Sequence, residues 1–251
     1  MKRLLGIGVV IACVLFAGGA NAALVKVGNL VLTADGGFTP RTLPQQTFAP
    51  IDFTGHADLR SADGSVPPPL QQVVLDFDRD GRLSTAGLPI CQPTLLEEVT
   101  PAEARARCPK AIVGTGHVSA LITREAGPPT LASSAITLFN GPPQAGHPTV
   151  ILHARTTVPA TQNFVLTIPI EKQAGLYRYR ATVDVPPIAA GRGSLIHLDV
   201  KIGKHYRYRG SERSYTAARC GDGVFRTRGR FTFAGDVIIE GSVEKPCTVR
   251  R

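Results

Sequence analysis

Beyond residue 22 the chain alternates apolar and polar positions, and it does so over most of its length. In IDFTGHADL, Ile51, Phe53, Ala57 and Leu59 fall on one side while Asp52, Thr54, His56 and Asp58 fall on the other. In SLIHLDVKI, Ile196, Leu198, Val200 and Ile202 oppose His197, Asp199 and Lys201. A period of two predicts strands with one face buried and one wet. NFVLTIPI, LYRYRATVDV, FRTRGRFTF and DVIIEGSV continue the pattern. Roughly a dozen such runs, separated by Gly- and Pro-rich turns, predict an all-β antiparallel sandwich. Pro169, inside NFVLTIPI, predicts an edge strand or a bulge, because proline gives no hydrogen bond to a ladder.

One stretch departs from this period. Thr100-Pro101-Ala102-Glu103 is a capping box with proline at the first helical position, which predicts a short helix over about 101–108. Cys91 and Cys108 flank it, so residues 91–108 read as a stapled excursion from the sandwich. GPPQAGHP, residues 141–148, is the best candidate for an internal hinge; otherwise residues 23–251 read as a single domain. YRYR occurs at 177–180 and 206–209, too short a match to be a repeat.

Residues 1–22 carry a positive start (Lys2, Arg3), an apolar run from Leu4 to Ala17 and the small-x-small sequence Ala20-Asn21-Ala22. This is the pattern of a secretory leader cut after Ala22. Val10-Ile11-Ala12-Cys13 resembles a lipobox, the minor alternative of a lipoprotein, but the apolar run continues past Cys13. No later stretch is apolar enough to span a membrane. Four cysteines remain: Cys91, Cys108, Cys220 and Cys247. An even set in an exported chain predicts two disulfides. Three pairings are open, and Cys91–Cys108 with Cys220–Cys247 closes the shortest loops. There is no CxxC pair and no histidine spacing of a zinc finger. The formal charge is +9, two of it from Lys2 and Arg3. That excess favours anionic partners such as envelope polymers or lipid headgroups.

GLPIC at 87–91, CPKAIVGTG at 108–116 and HYRYRGSERSY at 205–215, followed by two late cysteines, resemble a group of secreted, mostly actinobacterial proteins of unassigned function. Their recurrent pattern is GLP-x-C, a short helix, C-x-x-A-x-V-G-x-G, and a basic Tyr/Arg segment before another cysteine. The resemblance implies a single exported bacterial β domain. It brings no substrate and no catalytic residue.

Candidate chemistry is sparse. DFDRDG places Asp76, Asp78, Asp80 and Gly81 like the opening of a calcium loop, but the position that should carry a bidentate Glu is Gly87. Asp-Gly after an alternating run reads better as a hairpin turn. No GxSxG, HExxH, GxGxxG or phosphate-binding GxxxxGK[ST] motif is present, and no cofactor is expected. Ser242-Val243-Glu244-Lys245 has S-x-x-K spacing but lies in a strand pattern. His56 with Asp58, and His153 with Arg155, share strand faces and could pair a base with an orienting group; each also reads as an ordinary polar face.

The arginines are the strongest lead. Arg178 and Arg180 oppose Tyr177 and Tyr179; Arg207 and Arg209 oppose Tyr206 and Tyr208; Arg226, Arg228 and Arg230 oppose Phe225 and Phe231. Were these strands neighbours, seven guanidiniums would share a face suited to phosphate, sulfate or carboxylate. The expectation is an exported, non-enzymatic binding or structural domain, envelope-associated or extracellular. Its alternatives are an arginine face for an anionic polymer or membrane surface, and a secreted hydrolase. Export and the lack of a recognition motif argue against nucleic acid.

Overall fold

The computed structural model describes residues 22–250; residues 1–21, most of the expected leader with its Cys13, lie outside the described residues. The first strand, β1 (Ala23–Val27), is followed by β2 (Leu30–Thr39), β3 (Thr42–Leu43), β4 (Ala49–Pro50), β5 (Asp52–Ser61), β6 (Leu70–Asp78) and β7 (Gly81–Leu83). After helix α1 (Pro101–Arg107) come β8 (Ile112–Ile122), β9 (Thr130–Gln144), β10 (His147–Thr156), β11 (Gln162–Lys172), β12 (Tyr177–Asp184) and β13 (Gly193–Ile202). The chain ends with β14 (His205–Tyr208), β15 (Ser211–Ser214), β16 (Thr216–Ala218), β17 (Val224–Phe233), β18 (Val237–Pro246) and β19 (Thr248–Val249).

Twelve strands join in the order β1-β2-β5-β13-β8-β9-β10-β11-β12-β6-β17-β18. All their pairings are antiparallel, as the alternation predicts. The sheet folds over on itself into two layers, and β11 is the seam. Its first part pairs with β10, ending at Thr149 opposite Pro169, and its last part pairs with β12, beginning at Ile170 opposite Ala181. Pro169 is therefore not on an edge strand. It sits where the ladder changes partner, a place where a missing N–H costs little.

The inner faces bury the apolar positions of the alternation. Val113, Ile136, Leu138 and Val150 of one layer pack with Ile170, Tyr179 and Ala181 across the seam. Val25, Leu32 and Leu59 pack against Phe233 and Ile239 of the other layer. At the open ends β18 comes back alongside β1 and β2: a Cβ at Gly241 would lie 3.2 Å from Val25, and Lys245 Nζ reaches Asp35 Oδ1 at 2.6 Å.

Both disulfides have the local pairing, Cys91–Cys108 with an S–S distance of 2.03 Å and Cys220–Cys247 with 2.01 Å. The first closes the excursion. Thr100 Oγ1 accepts from the Glu103 N–H at 3.2 Å and the Thr100 N–H donates to Glu103 Oε2 at 2.7 Å, so the capping box forms as read. Leu96, Val99 and Ala104 then cover Phe139 and Ile151 on the outer face of β9 and β10. Residues 141–148 form the end of the β9–β10 hairpin, with Ala145 and Gly146 both at positive φ in the turn and a register shift between His147 and Thr149. Asp80-Gly81 does end β6 in a turn, but no hairpin follows. β7 leaves the large sheet to pair with β16, which also pairs with β4.

Candidate functional site

The strands carrying the arginines are not all neighbours. β6 lies between β12 and β17, while Arg207 and Arg209 sit on the separate β14–β15 hairpin. Asp76, near the end of β6, stands directly between Arg180 and Arg228 in the ladder. The residue is 3% exposed, and its carboxylate accepts from Arg180 Nε at 2.8 Å and from Arg228 Nη2 at 2.6 Å. Burial opposes ionisation of Asp76, but the Arg180 and Arg228 guanidiniums outweigh it and hold the carboxyl below the usual range. Arg226 is engaged by Asp222 at 2.8 Å and Arg230 by Glu240 at 3.3 Å. Arg207 pairs with Glu212 at 3.4 Å, and Arg209 lies over the Tyr208 ring. The face is thus a charge lattice, with most of its cations matched by carboxylates of the same chain.

Arg178 goes elsewhere. A bulge between Tyr177 and Tyr179 pairs Tyr177 with Asp78 and Tyr179 with Phe77, so the two tyrosines face opposite ways. Tyr177 lies under the Arg228 guanidinium, at 4.8 Å, and Tyr179 is in the core. Arg178 instead joins Arg82 and Arg219 around the Phe48 ring, at 5.7, 5.6 and 5.3 Å.

Asp76, Asp78 and Asp80 are all buried, and each has its own donors. Asp78 accepts from the Asp80 and Arg226 N–H groups; its burial, the larger effect, pushes its carboxyl up. Asp80 accepts from Arg219 Nε at 2.8 Å and the Gly221 N–H at 2.9 Å. Among the described residues, the groups with ligand atoms close enough to share a cation include none of these three.

The outer face of β2, β5, β13 and β8 holds something denser. In one cross-strand row Asp35, His56, Asp199 and His117 follow one another; in the next, Thr33, Asp58, His197 and Ser119 do. Asp58 Oδ2 is 2.6 Å from His56 Nε2, and Asp58 Oδ1 is 2.8 Å from His197 Nδ1. His197 Nε2 is 3.3 Å from Asp199 Oδ2. The His197 hydrogen bond holds the Asp58 carboxyl low, and the same bond raises the His197 pKa against its partial burial. A polar cleft of about 350 Å³ adjoins this array, lined by Asp35, Arg41, His56, Asp199, Lys201 and Lys245. The alternation places His56 with Asp58 and His197 with Asp199, but not the two pairs beside each other. His153, by contrast, is no surface base: it is fully buried on the β10 face that the excursion covers.

Between the layers lies an apolar cavity of about 170 Å³. Its walls include Leu32, Phe53, Leu75, Phe77, Leu198 and Phe231, with the Phe53 and Phe77 rings edge to face at 5.7 Å. Two glycine pairs line it, Gly36 facing Gly55 in one layer and Gly229 facing Gly241 in the other, with neighbouring side chains leaning over them: a Cβ at Gly229 would lie 2.7 Å from the Phe231 ring and one at Gly55 would lie 3.3 Å from Val200. The period-two pattern counts glycine as neither apolar nor polar, so this feature leaves no mark in it. No protein-family model matches the chain, and no curated protein or solved structure is similar to it.

Proposed function

We propose that the chain is an exported, non-enzymatic β-sandwich domain that binds a small apolar molecule between its layers. The observation that carries this reading is the glycine-walled cavity. Packed interiors keep few voids larger than a water molecule, whereas this space is about 170 Å³ with apolar walls. Apolar cavities of this size stay dry and accept single aromatic rings. Export rests on the leader pattern, the resemblance to secreted bacterial proteins, and two disulfides of the kind an oxidising compartment sustains. The domain acts outside the cytoplasm, free or at the cell envelope.

An anion-binding role has narrower support. Of the seven candidate arginines, Arg178 and Arg209 keep no carboxylate partner among the described residues; Arg209 lies over Tyr208, and Arg178 packs beside Arg82 and Arg219 on Phe48.

Titration of the oxidised protein with toluene and with indole, followed by thermal unfolding, tests the apolar reading. The melting temperature rises with ligand in the native sequence and is unmoved in Ala57→Leu, whose added methyl groups occupy the cavity. A melting temperature indifferent to both probes in the native protein overturns it.

A further inference from the structure

We propose that His117, His197 and Asp199 bind a divalent transition metal on the outer face of the large sheet, with Asp58 holding His197 in place. β13 supplies His197 and Asp199 two residues apart, so both stand on the same face of one strand. β8 supplies His117 directly opposite Asp199 in the ladder. One ligand atom from each of the three lies within 4.8 Å of the others. Two imidazole nitrogens and a carboxylate oxygen at that spacing need only a small closure to meet one ion at about 2.0–2.2 Å. The donor set suits zinc and its neighbours in preference to calcium or magnesium.

Asp58 decides which histidine nitrogen is offered. Its Oδ1 takes the Nδ1 side of His197, at 2.8 Å, leaving Nε2 turned toward Asp199. A carboxylate behind the histidine, fixing its tautomer and ring angle, is the usual support for such a ligand. The two nearby lysines are engaged elsewhere: Lys201 Nζ is 3.1 Å from Asp52 Oδ2, and Lys245 is held by Asp35. His117 and His197 are half-buried and Asp199 is exposed, so an ion here would keep open positions to solvent and to the neighbouring cleft.

A second triplet, His56, Asp58 and His197, shares His197 and meets the same spacing. Variants separate the two. Calorimetric titration of the untagged, chelator-treated, oxidised chain with Zn²⁺ gives one ion per chain. Asp58→Asn weakens binding by about 10- to 100-fold. His117→Ala and Asp199→Ala weaken it further, and His56→Ala leaves it unchanged. Co²⁺ substitution, read by its visible absorption, reports the same order of variants and shows the ligand field directly. Circular dichroism confirms that the variants fold. Absence of stoichiometric Zn²⁺ binding overturns the proposal. So does loss of binding in His56→Ala with His117→Ala unaffected, because the ion then belongs to the other triplet.

Discussion

Gly229 and Gly241 face each other across the β17–β18 ladder, and neither brings a side chain to the space between the layers. Gly36 and Gly55 do the same on the opposite wall. A cross-strand pair normally contributes packing; here two pairs forgo it. Phe231, Val25, Phe53 and Val200 lean over these glycines, and the cavity lies among those side chains. Ala57, on the inner face beside Gly55, is the position from which it can be filled without disturbing a ladder. Ala57→Leu should therefore raise the stability of the ligand-free protein by about 1 kcal/mol in urea unfolding, because the added carbons recover contacts the cavity lacks.

Asp76 neutralises two arginines from the strands on either side of it. Asp76→Ala leaves Arg180 and Arg228 without their acceptor. Both guanidiniums are partly exposed and can turn to water, so the loss is moderate, about 2 kcal/mol by chemical denaturation. The carboxyl titrates lower in the folded chain than its ordinary 3.8. Its contribution is then fully present above pH ~4 and disappears as pH falls through the depressed folded value. In the native protein this adds to acid sensitivity, and Asp76→Ala should show a flatter stability curve below pH 4.

The disulfides close loops between cysteines 17 and 27 residues apart. In the chain-entropy model each contributes about 3 kcal/mol, the longer loop slightly more. Replacing Cys91 and Cys108 together by Ala should lower stability by that amount and should release the excursion first, exposing Phe139 and Ile151. Hydrogen exchange at the β9 and β10 amides then rises more than at β17. Equal exchange in both would refute a local role for the first disulfide.

His153 is buried under the excursion, and burial lowers its pKa; the Val99 backbone opposes this, while Arg155 and Arg105 add to it. Above pH ~6.5 the ring is neutral whether the chain is folded or not. Below it the unfolded chain takes up a proton that the folded chain resists, so His153 removes stability as pH falls, until its lowered folded pKa is reached. The slope is at most about 1.4 kcal/mol per pH unit. Native protein and His153→Leu, compared by urea unfolding from pH 7 to pH 5, should diverge by losing stability at different rates, the native faster. Parallel curves would show that His153 charges freely in the folded state.

The alternation of IDFTGHADL and SLIHLDVKI was enough to place Phe53, Ala57, Leu198 and Val200 inward and the histidines outward, because burial of one sheet face imposes the period directly. The capping box was equally legible, since it is a local exchange between Thr100 and Glu103. Strand order was not. His197 meets Asp58 across 139 residues of sequence, and Arg228 meets Asp76 across 152. No periodicity encodes such pairings, so the histidine array and the neutralisation of the arginines emerge only from the fold. The bulge at Arg178 broke a face assignment for the same reason: one extra residue reverses every side chain before it.

The most direct measurement is a crystal structure of the oxidised protein under xenon pressure. Xenon enters dry apolar cavities without needing specific polar groups. We expect one strong site between Leu75, Val200 and Phe231, lost in Ala57→Leu. A core closed around that position, with no xenon between the layers, would contradict the binding function.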